Sequence, residues 1–357
     1  MFFYVNQENC IKYGRRGFDT MDTKQLLEIT TRPPTALIEE IRQIDGDIMI
    51  LGAGGKVGPS LAIMAKRACD FAGEQKRVFA VSNYENEEIP AAMRSYGVDS
   101  VNADLFDSQS LAALPDVKNI IFMAGRKFGT SDNQSLTWAV NVLLPYEVCK
   151  RFPFSNFVVF STGNVYGDVS ALSGGSVETN EPRPDGEYGQ TCLGRERVFE
   201  YFAGLNGTKS LLFRLNYSIG LNYGVLFDIA NSVYEGTPVN LSRGIYNCIW
   251  QGDVCAYAIR ALLHCTNPPN ILNVTGAQRL SVRWTANEFA HIFGKSVRFS
   301  GEERALGIYS NTTKLNSLMG VPEFPLDDMI RLQAEWIAGG GASLNAPTHF
   351  EQADGKY

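Results

Sequence analysis

The stretch Asp47-Ile48-Met49-Ile50-Leu51-Gly52-Ala53-Gly54-Gly55-Lys56-Val57-Gly58 decides the reading of this 357-residue chain. Its apolar half reads as a buried strand, its glycines as a tight turn, and the spacing Leu61, Ala62, Met64, Ala65 as the helix that follows. A turn without Cβ atoms lets a pyrophosphate approach backbone N–H groups, and the helix N-terminus presents partial positive charge to it. Elsewhere the same glycines would be a bland turn. At a first strand-to-helix junction they read as a dinucleotide site.

Outward from this turn, short apolar runs alternate with helical patterns: Ser60–Phe71, Arg77–Ser82, Asn119–Met123, Thr137–Arg151, Asn156–Ser161, Leu193–Phe202 and Leu211–Leu215. Continuous apolar strands alternating with helices predict an α/β fold, a doubly wound parallel sheet covered on both faces. We divide the chain into an N-terminal extension with one helix (1–45), a nucleotide-binding domain (46–217), a smaller α/β substrate lobe interleaved with it (218–337) and a tail (338–357). The extension's helix is read from Arg32-Pro33-Pro34-Thr35 followed by Ala36, Leu37, Ile38, Ile41 and Ile44. Residues 1–20 show no such pattern, and Met21 is a second candidate start. Asp253–His264 reads as a helix between the two lobes.

Composition narrows the classes. Hydrophobic residues at 45% and charged residues at 20% are ordinary globular usage, so the chain folds. A net charge of −6 without a basic block argues against nucleic acid as a partner. No apolar run approaches the roughly 18 residues of a membrane span, and the apolar start Met1–Val5 stops at Asn6 without a basic leader or a small-residue cleavage site, so the expectation is a cytoplasmic protein with no membrane partner. The seven cysteines are scattered without a CxxC pair and the three histidines are dispersed, which fits structural thiols and no metal site.

Further residues carry a likeness. Gly52, Gly55 and Gly58 have the GxxGxxG spacing, Asp104-Leu105 pairs a carboxylate with an aliphatic residue, and Met123-Ala124-Gly125 ends the fourth strand. Asn141 sits in the next helix, and Phe160–Gly167 reads S-[ST]-x-x-V-Y-G. With these the chain resembles the extended short-chain dehydrogenase/reductase family, its NAD-dependent epimerase/dehydratase group, from about residue 47 to 320. The resemblance implies a Rossmann-like NAD(P)-binding fold and an oxidoreductase or epimerase of carbohydrate metabolism, acting on a sugar or other polyhydroxylated small molecule. It also allows a homodimer. Cofactor contacts are implied at Gly52, Gly54, Gly55, Lys56, Val57, Gly58, Ser82, Asp104, Leu105, Ala124, Gly125 and Asn141. Thr162 is implied as the partner of the reacting hydroxyl, Tyr188 as acid/base, and Asn164 and Asn216 as substrate contacts.

Five positions depart from the pattern. Ser82 stands where an acidic residue often reads the adenosine ribose. A hydroxyl admits NADP, while Glu85, Glu87 and Glu88 in the next loop repel a 2′-phosphate, so NAD and NADP both stay open. Cys192 stands where the family places the lysine that supports the tyrosine. A phenol with a pKa of about 10 is a poor base, and a neutral thiol cannot supply an ammonium's field. Another cation, Arg195 or the pair Arg126-Lys127, has taken over, or the tyrosine works weakly without help, or the protein binds nucleotide without turnover. Gly163 and Asn164 replace an acidic pair used for water elimination, which disfavours a 4,6-dehydratase. Tyr246 occupies the place of a diphosphate-clamping arginine, with Arg243 the nearest substitute. Trp250 reads as core more than as a stacking platform, and His349 carries no role.

Overall fold

Ile48–Leu51 forms a strand, β1, buried at all four positions, as a parallel strand covered on both faces must be. The computed structural model describes residues 21–130, 132–345 and 348–352; Cys10, the unpatterned start and part of the tail lie outside the described residues. Six further strands join β1: β2 (Val78–Ser82), β3 (Asp99–Asn102), β4 (Asn119–Phe122), β5 (Asn156–Thr162), β6 (Ser210–Leu215) and β7 (Asn270–Val274). All pair in parallel, in the order β7-β6-β5-β4-β1-β2-β3. This is the expected doubly wound sheet. Its order reverses between β1 and β4, so the crevice where ligands bind in such sheets opens there, at the carboxyl ends of the strands.

The N-terminal extension holds two helices where one was expected. Helix α1 (Thr23–Thr31) precedes α2 (Thr35–Glu40) and its continuing turn Ile41–Gln43. A capping box starts α1: the Asp22 carboxylate accepts from Gln25 N, and the Gln25 side chain accepts from Asp22 N. That signal was in the sequence, but the residues the helix buries are Thr30 and Thr31 while its aliphatics are half-buried, which blurred its stripe.

Helices α3 (Gly58–Ala72) and α4 (Glu88–Ser95) follow β1 and β2, and α5 (Ser108–Ala113) follows β3. The expected helix Thr137–Arg151 is instead α6 (Gln134–Trp138), a wide π turn over Ala139–Leu143, and α7 (Leu144–Arg151). The 21-residue α8 (Gly186–Asn206) puts Tyr188 in its first turn.

Past β6 the chain leaves the sheet through α9 (Val225–Glu235), then returns with α10 (Gln251–Arg260) and β7 before running through α11 (Val282–Phe293), α12 (Thr313–Met319) and α13 (Leu326–Ala338). One face of the sheet is covered by a core shared among α2, α3 and α10, the other by α5, α7 and α8. A third core joins α9, α11 and α13. No helix among the described residues is long and apolar enough to cross a membrane.

Two of these layers are pinned by a buried charge. Glu196 on α8 accepts from Ser161 Oγ on β5 (2.5 Å) and from Arg214 Nε and Nη2 on β6 (2.9 and 2.6 Å), with both charged side chains essentially sealed from water. Removing one member of such a pair leaves the other uncompensated in a low-dielectric interior. Arg214→Met should therefore lower the urea unfolding free energy by about 3–5 kcal/mol. The double change Arg214→Met, Glu196→Leu should recover most of that loss. A loss under about 1 kcal/mol in the single variant, the scale of an exposed pair, would show that the pair does not hold α8.

Candidate active site

The four glycines of the first turn do different work. Gly52 has φ +88°, and a Cβ there would lie 2.5 Å from Ala124 N, because the ends of β1 and β4 nearly touch. A Cβ at Gly58 would lie 2.3 Å from Ala53 O, so α3 could not pack against the turn, and one at Gly54 would meet Ser82 Oγ at 2.7 Å. Gly55 is unlike these three: a Cβ there meets only Gly52 O, at 3.6 Å, and its outer side is open. Gly52, Gly54 and Gly58 let the elements close; Gly55 leaves room for an incoming group above the N-terminus of α3.

Beside this turn lies a cavity of about 410 Å³, lined on one side by Gly52, Gly54, Gly55 and Ser82 and on the other by Asp104, Leu105, Ala124 and Gly125. Its charged lining residues are Glu85 and Asp104, and among the described residues no lysine or arginine lines it. Asp104 also braces its own loop by accepting from Phe106 N at 2.9 Å. Lys56 and Val57 line a second cavity instead.

Asn141 corrects the cofactor set. Wholly buried in the π turn, it accepts through Oδ1 from Arg126 N and Arg195 Nη2 (both 2.8 Å) and donates through Nδ2 to Arg126 O and Thr191 Oγ1 (both 2.9 Å). Its hydrogen-bonding capacity is thereby filled. It lines neither cavity and shapes the backbone after β4 from behind.

The second cavity, about 170 Å³, gathers Lys56, Val57, Lys127, Thr162, Asn164, Tyr188, Asn216, Tyr217, Tyr223 and Thr348. The sequence-read chemical residues Thr162 and Tyr188 thus meet in one cleft. Thr162, at the end of β5, accepts through Oγ1 from Asn164 N (3.2 Å) and Asn164 Nδ2 (2.9 Å). Asn216 reaches the cleft wall, but its amide donates to Asn247 Oδ1 (2.8 Å) and Ile308 O (3.0 Å), clasping two loops. Its neighbour Tyr217 holds φ +41°, a conformation costly for a residue with a side chain and frequent at functional sites.

Cys192 lies beneath Tyr188, buried and hydrogen-bonded to the tyrosine side chain. Burial pushes its thiol above the usual range, so the thiolate is disfavoured and the residue is a poor nucleophile. Arg195 is committed elsewhere: its guanidinium donates to Phe160 O at 2.7 Å and to Asn141 Oδ1 at 2.8 Å. Lys127 faces the cleft. Its ammonium stands 5.9 Å from the centre of the Tyr188 ring and donates to Thr348 O at 3.3 Å. Burial lowers its pKa to about 8, against the opposing pull of Asp228. Lys56 rests its ammonium on the Tyr223 ring, and burial, then the charge of Lys127, pushes it down as well.

Sequence reasoning missed Tyr217, Tyr223 and Thr348. The first two follow β6 in a loop without periodicity, and Thr348 belongs to a tail whose approach to the cleft no local pattern announces.

The separable glycine roles make a prediction. Gly55→Val should keep the thermal midpoint within about 2 °C of the parent, the scale of a few tenths of a kcal/mol, and abolish calorimetric binding of nicotinamide nucleotide. Gly52→Ala should instead lower the midpoint. Unchanged affinity in Gly55→Val would remove the phosphate cradle.

Comparison with known proteins agrees with this geometry. The model of the NAD dependent epimerase/dehydratase family matches residues 48–275. The fold is similar to a Thermus thermophilus UDP-glucose 4-epimerase solved with NAD (TM-score 0.65, 19% identity, 82% of this chain and 99% of that one). It is similar, too, to a Bacillus cereus UDP-glucuronic acid 4-epimerase solved with UDP-glucuronic acid and NAD (TM-score 0.68, 17% identity, 82% and 99%). MoeE5, in complex with UDP-glucose and NAD, is a third such likeness (TM-score 0.66, 20% identity, 83% and 99%). No curated protein matches the sequence. With its family model spanning the strands, the glycine turn and the Thr162 to Tyr188 cleft, the chain belongs to the NAD dependent epimerase/dehydratase family of enzymes.

Proposed function

We propose that the protein is an NAD(P)-dependent oxidoreductase or epimerase acting on a sugar or other polyhydroxylated small molecule, with Lys127 supplying the cation that position 192 lacks. The observation that carries this reading is the presence of the Lys127 ammonium in the same small cleft as Thr162 and Tyr188, 5.9 Å from the tyrosine ring. The residues 218–337 are read as the lobe that closes the sugar side. Exposed Tyr146 on α7 and Tyr201 and Leu205 on α8 support a homodimer.

The chain fits a dinucleotide. Gly55 leaves an open cradle at a helix N-terminus, and the larger cavity offers Asp104 and Leu105 to an adenine end and Ser82 to a ribose. When bound, the nicotinamide takes up or returns a hydride. The protein's own part is placement and proton transfer. Thr162 and Asn164 hold a substrate hydroxyl, Tyr188 takes or gives its proton, and a positive charge nearby favours the phenolate over the phenol. Family membership and the NAD and UDP-sugar ligands of the similar structures support the nucleotide and the sugar class.

A second reading, a nucleotide binder without turnover, rests on Cys192, whose buried neutral thiol supplies no charge. Hydride transfer across a panel of sugars and sugar acids separates the two. Under the first reading Tyr188→Phe abolishes transfer, and Lys127→Ala lowers kcat about 100-fold, in the range of a general acid–base contribution, with nucleotide affinity retained. Cys192→Lys adds little. Parent inactivity would favour the silent binder, and turnover untouched in Lys127→Ala would refute the substitute cation.

The pH dependence has a definite sign. Lys127 titrates at about 8, so its charge is present below that pH and lost above it. The parent kcat should fall above about pH 8, while Lys127→Arg, whose guanidinium stays charged, should hold its rate there.

Cofactor choice follows from the larger cavity. Glu85 lines it and, among the described residues, no cation does, which supports NAD over NADP. Ser82→Asp should then weaken NADP further than NAD. Equal losses in a paired titration would show that position 82 does not discriminate.

A further inference from the structure

After α13 the chain turns at Gly339–Gly341, with Gly341 N donating to Trp336 O at 2.8 Å, and is tied down stepwise. Trp336 Nε1 donates to Ala342 O at 3.0 Å, and Leu344 N to Asn222 O at 3.1 Å. Further along, Thr348 donates through N (2.8 Å) and Oγ1 to the Asp228 carboxylate on α9, while its carbonyl accepts from Lys127 Nζ. Phe350 is buried in the core of α9, α11 and α13, and Gln352 N closes a turn on His349 O at 3.1 Å. One threonine therefore bridges the second lobe, through Asp228, to the loop after β4, through Lys127. It does so across the wall of the cleft that holds Thr162 and Tyr188.

The consequence is size. About 170 Å³ remains in this cleft, where pockets for ordinary small ligands measure about 300–1,000 Å³. A single sugar ring is on this scale; a ring with a nucleoside diphosphate beside it is not. Cations for a diphosphate are also committed: Arg243 is buried against Asp168, with Nη2 to Oδ1 at 2.8 Å, and Lys127 is drawn to Thr348. Tyr246, buried, is hydrogen-bonded to Thr285.

We infer that residues 348–352 form a specificity strap that shuts the substrate cleft against nucleotide-linked sugars and leaves it for a free monosaccharide, sugar acid or polyol. The inference rests on the assignment of this cleft as the substrate site. It makes Thr348, Phe350 and Asp228 positioning residues, since they act by holding the strap and Lys127.

The test compares the full chain with a variant ending at Leu344, each titrated calorimetrically with UDP-glucose in the presence of NAD. The strap predicts that UDP-glucose binds the shortened chain at least about tenfold more tightly than the full chain. Equal affinity in the two, whether measurable or absent, overturns it. The full-length double variant Thr348→Ala, Phe350→Ala releases the strap without shortening the chain and should show the same gain if the truncated chain does not fold. The cleft assignment fails separately, through Tyr188→Phe: retained hydride transfer in that variant refutes the cleft, whereas lost transfer with equal UDP-glucose affinities refutes the strap alone.

Discussion

The carboxylate of Glu196 is the point from which the cleft takes its register. It sits on α8 and grips Ser161 at the end of β5 and Arg214 near the end of β6, in an interior that offers it no water. Each gripped residue is a near neighbour of a cleft residue: Ser161 precedes Thr162, and Arg214 lies two before Asn216. Tyr188 is eight residues before Glu196 on the same helix, a little over two turns away. One buried charge thus sets the relative placement of three side chains from three elements. Such pairs give little net stability against an apolar replacement of equal volume. Their value here is geometric, because the hydrogen-bond directions of a carboxylate and a guanidinium admit few arrangements.

A second polar knot, centred on Asn141, explains why Lys127, which shares the cleft with Lys56, stands near Tyr188 while Arg195 does not. Arg195 is drawn inward by the Phe160 carbonyl and by Asn141. Asn141 in turn holds the backbone of Arg126 on both its N–H and its carbonyl. With residue 126 fixed, the next residue leaves the strand end at the cleft, where the Lys127 ammonium lies near Tyr188 and Thr348. A π turn presents its side chains at a spacing that an α-helix does not, and such turns recur at functional sites.

Much of this was readable in the chain, for identifiable reasons. Ile48–Leu51 and Leu211–Leu215 announced themselves because strands covered on both faces have no polar side to confuse the pattern. The glycine turn was legible because its geometry is local. Thr162 and Tyr188 were found by motif and do meet in one cleft. Asn141 was placed against the cofactor because its position was visible, but its four hydrogen-bond partners were not. Between Arg195 and the Arg126-Lys127 pair the sequence could not choose, since helical spacing ignores what a guanidinium meets across the interface. Thr348 was beyond reach: the contact that gives it meaning is with Asp228, 120 residues away.

The path of β7 bears on how the chain is assembled. This strand lies at the edge of the nucleotide-binding sheet, yet it follows the excursion through α9 and α10, and α10 itself is tied to the first helix of the sheet by Gln251 Nε2 donating to Ser60 Oγ at 3.2 Å, across 191 residues. During synthesis the ribosome releases the glycine turn and the strands β1 to β6 before the pieces that complete their cover. Until then the outer edge of β6 and one face of α3 stay bare, and an unpaired strand edge is where neighbouring chains add. Nascent copies therefore pass through an interval in which the bare edge of β6 is open to pairing between chains.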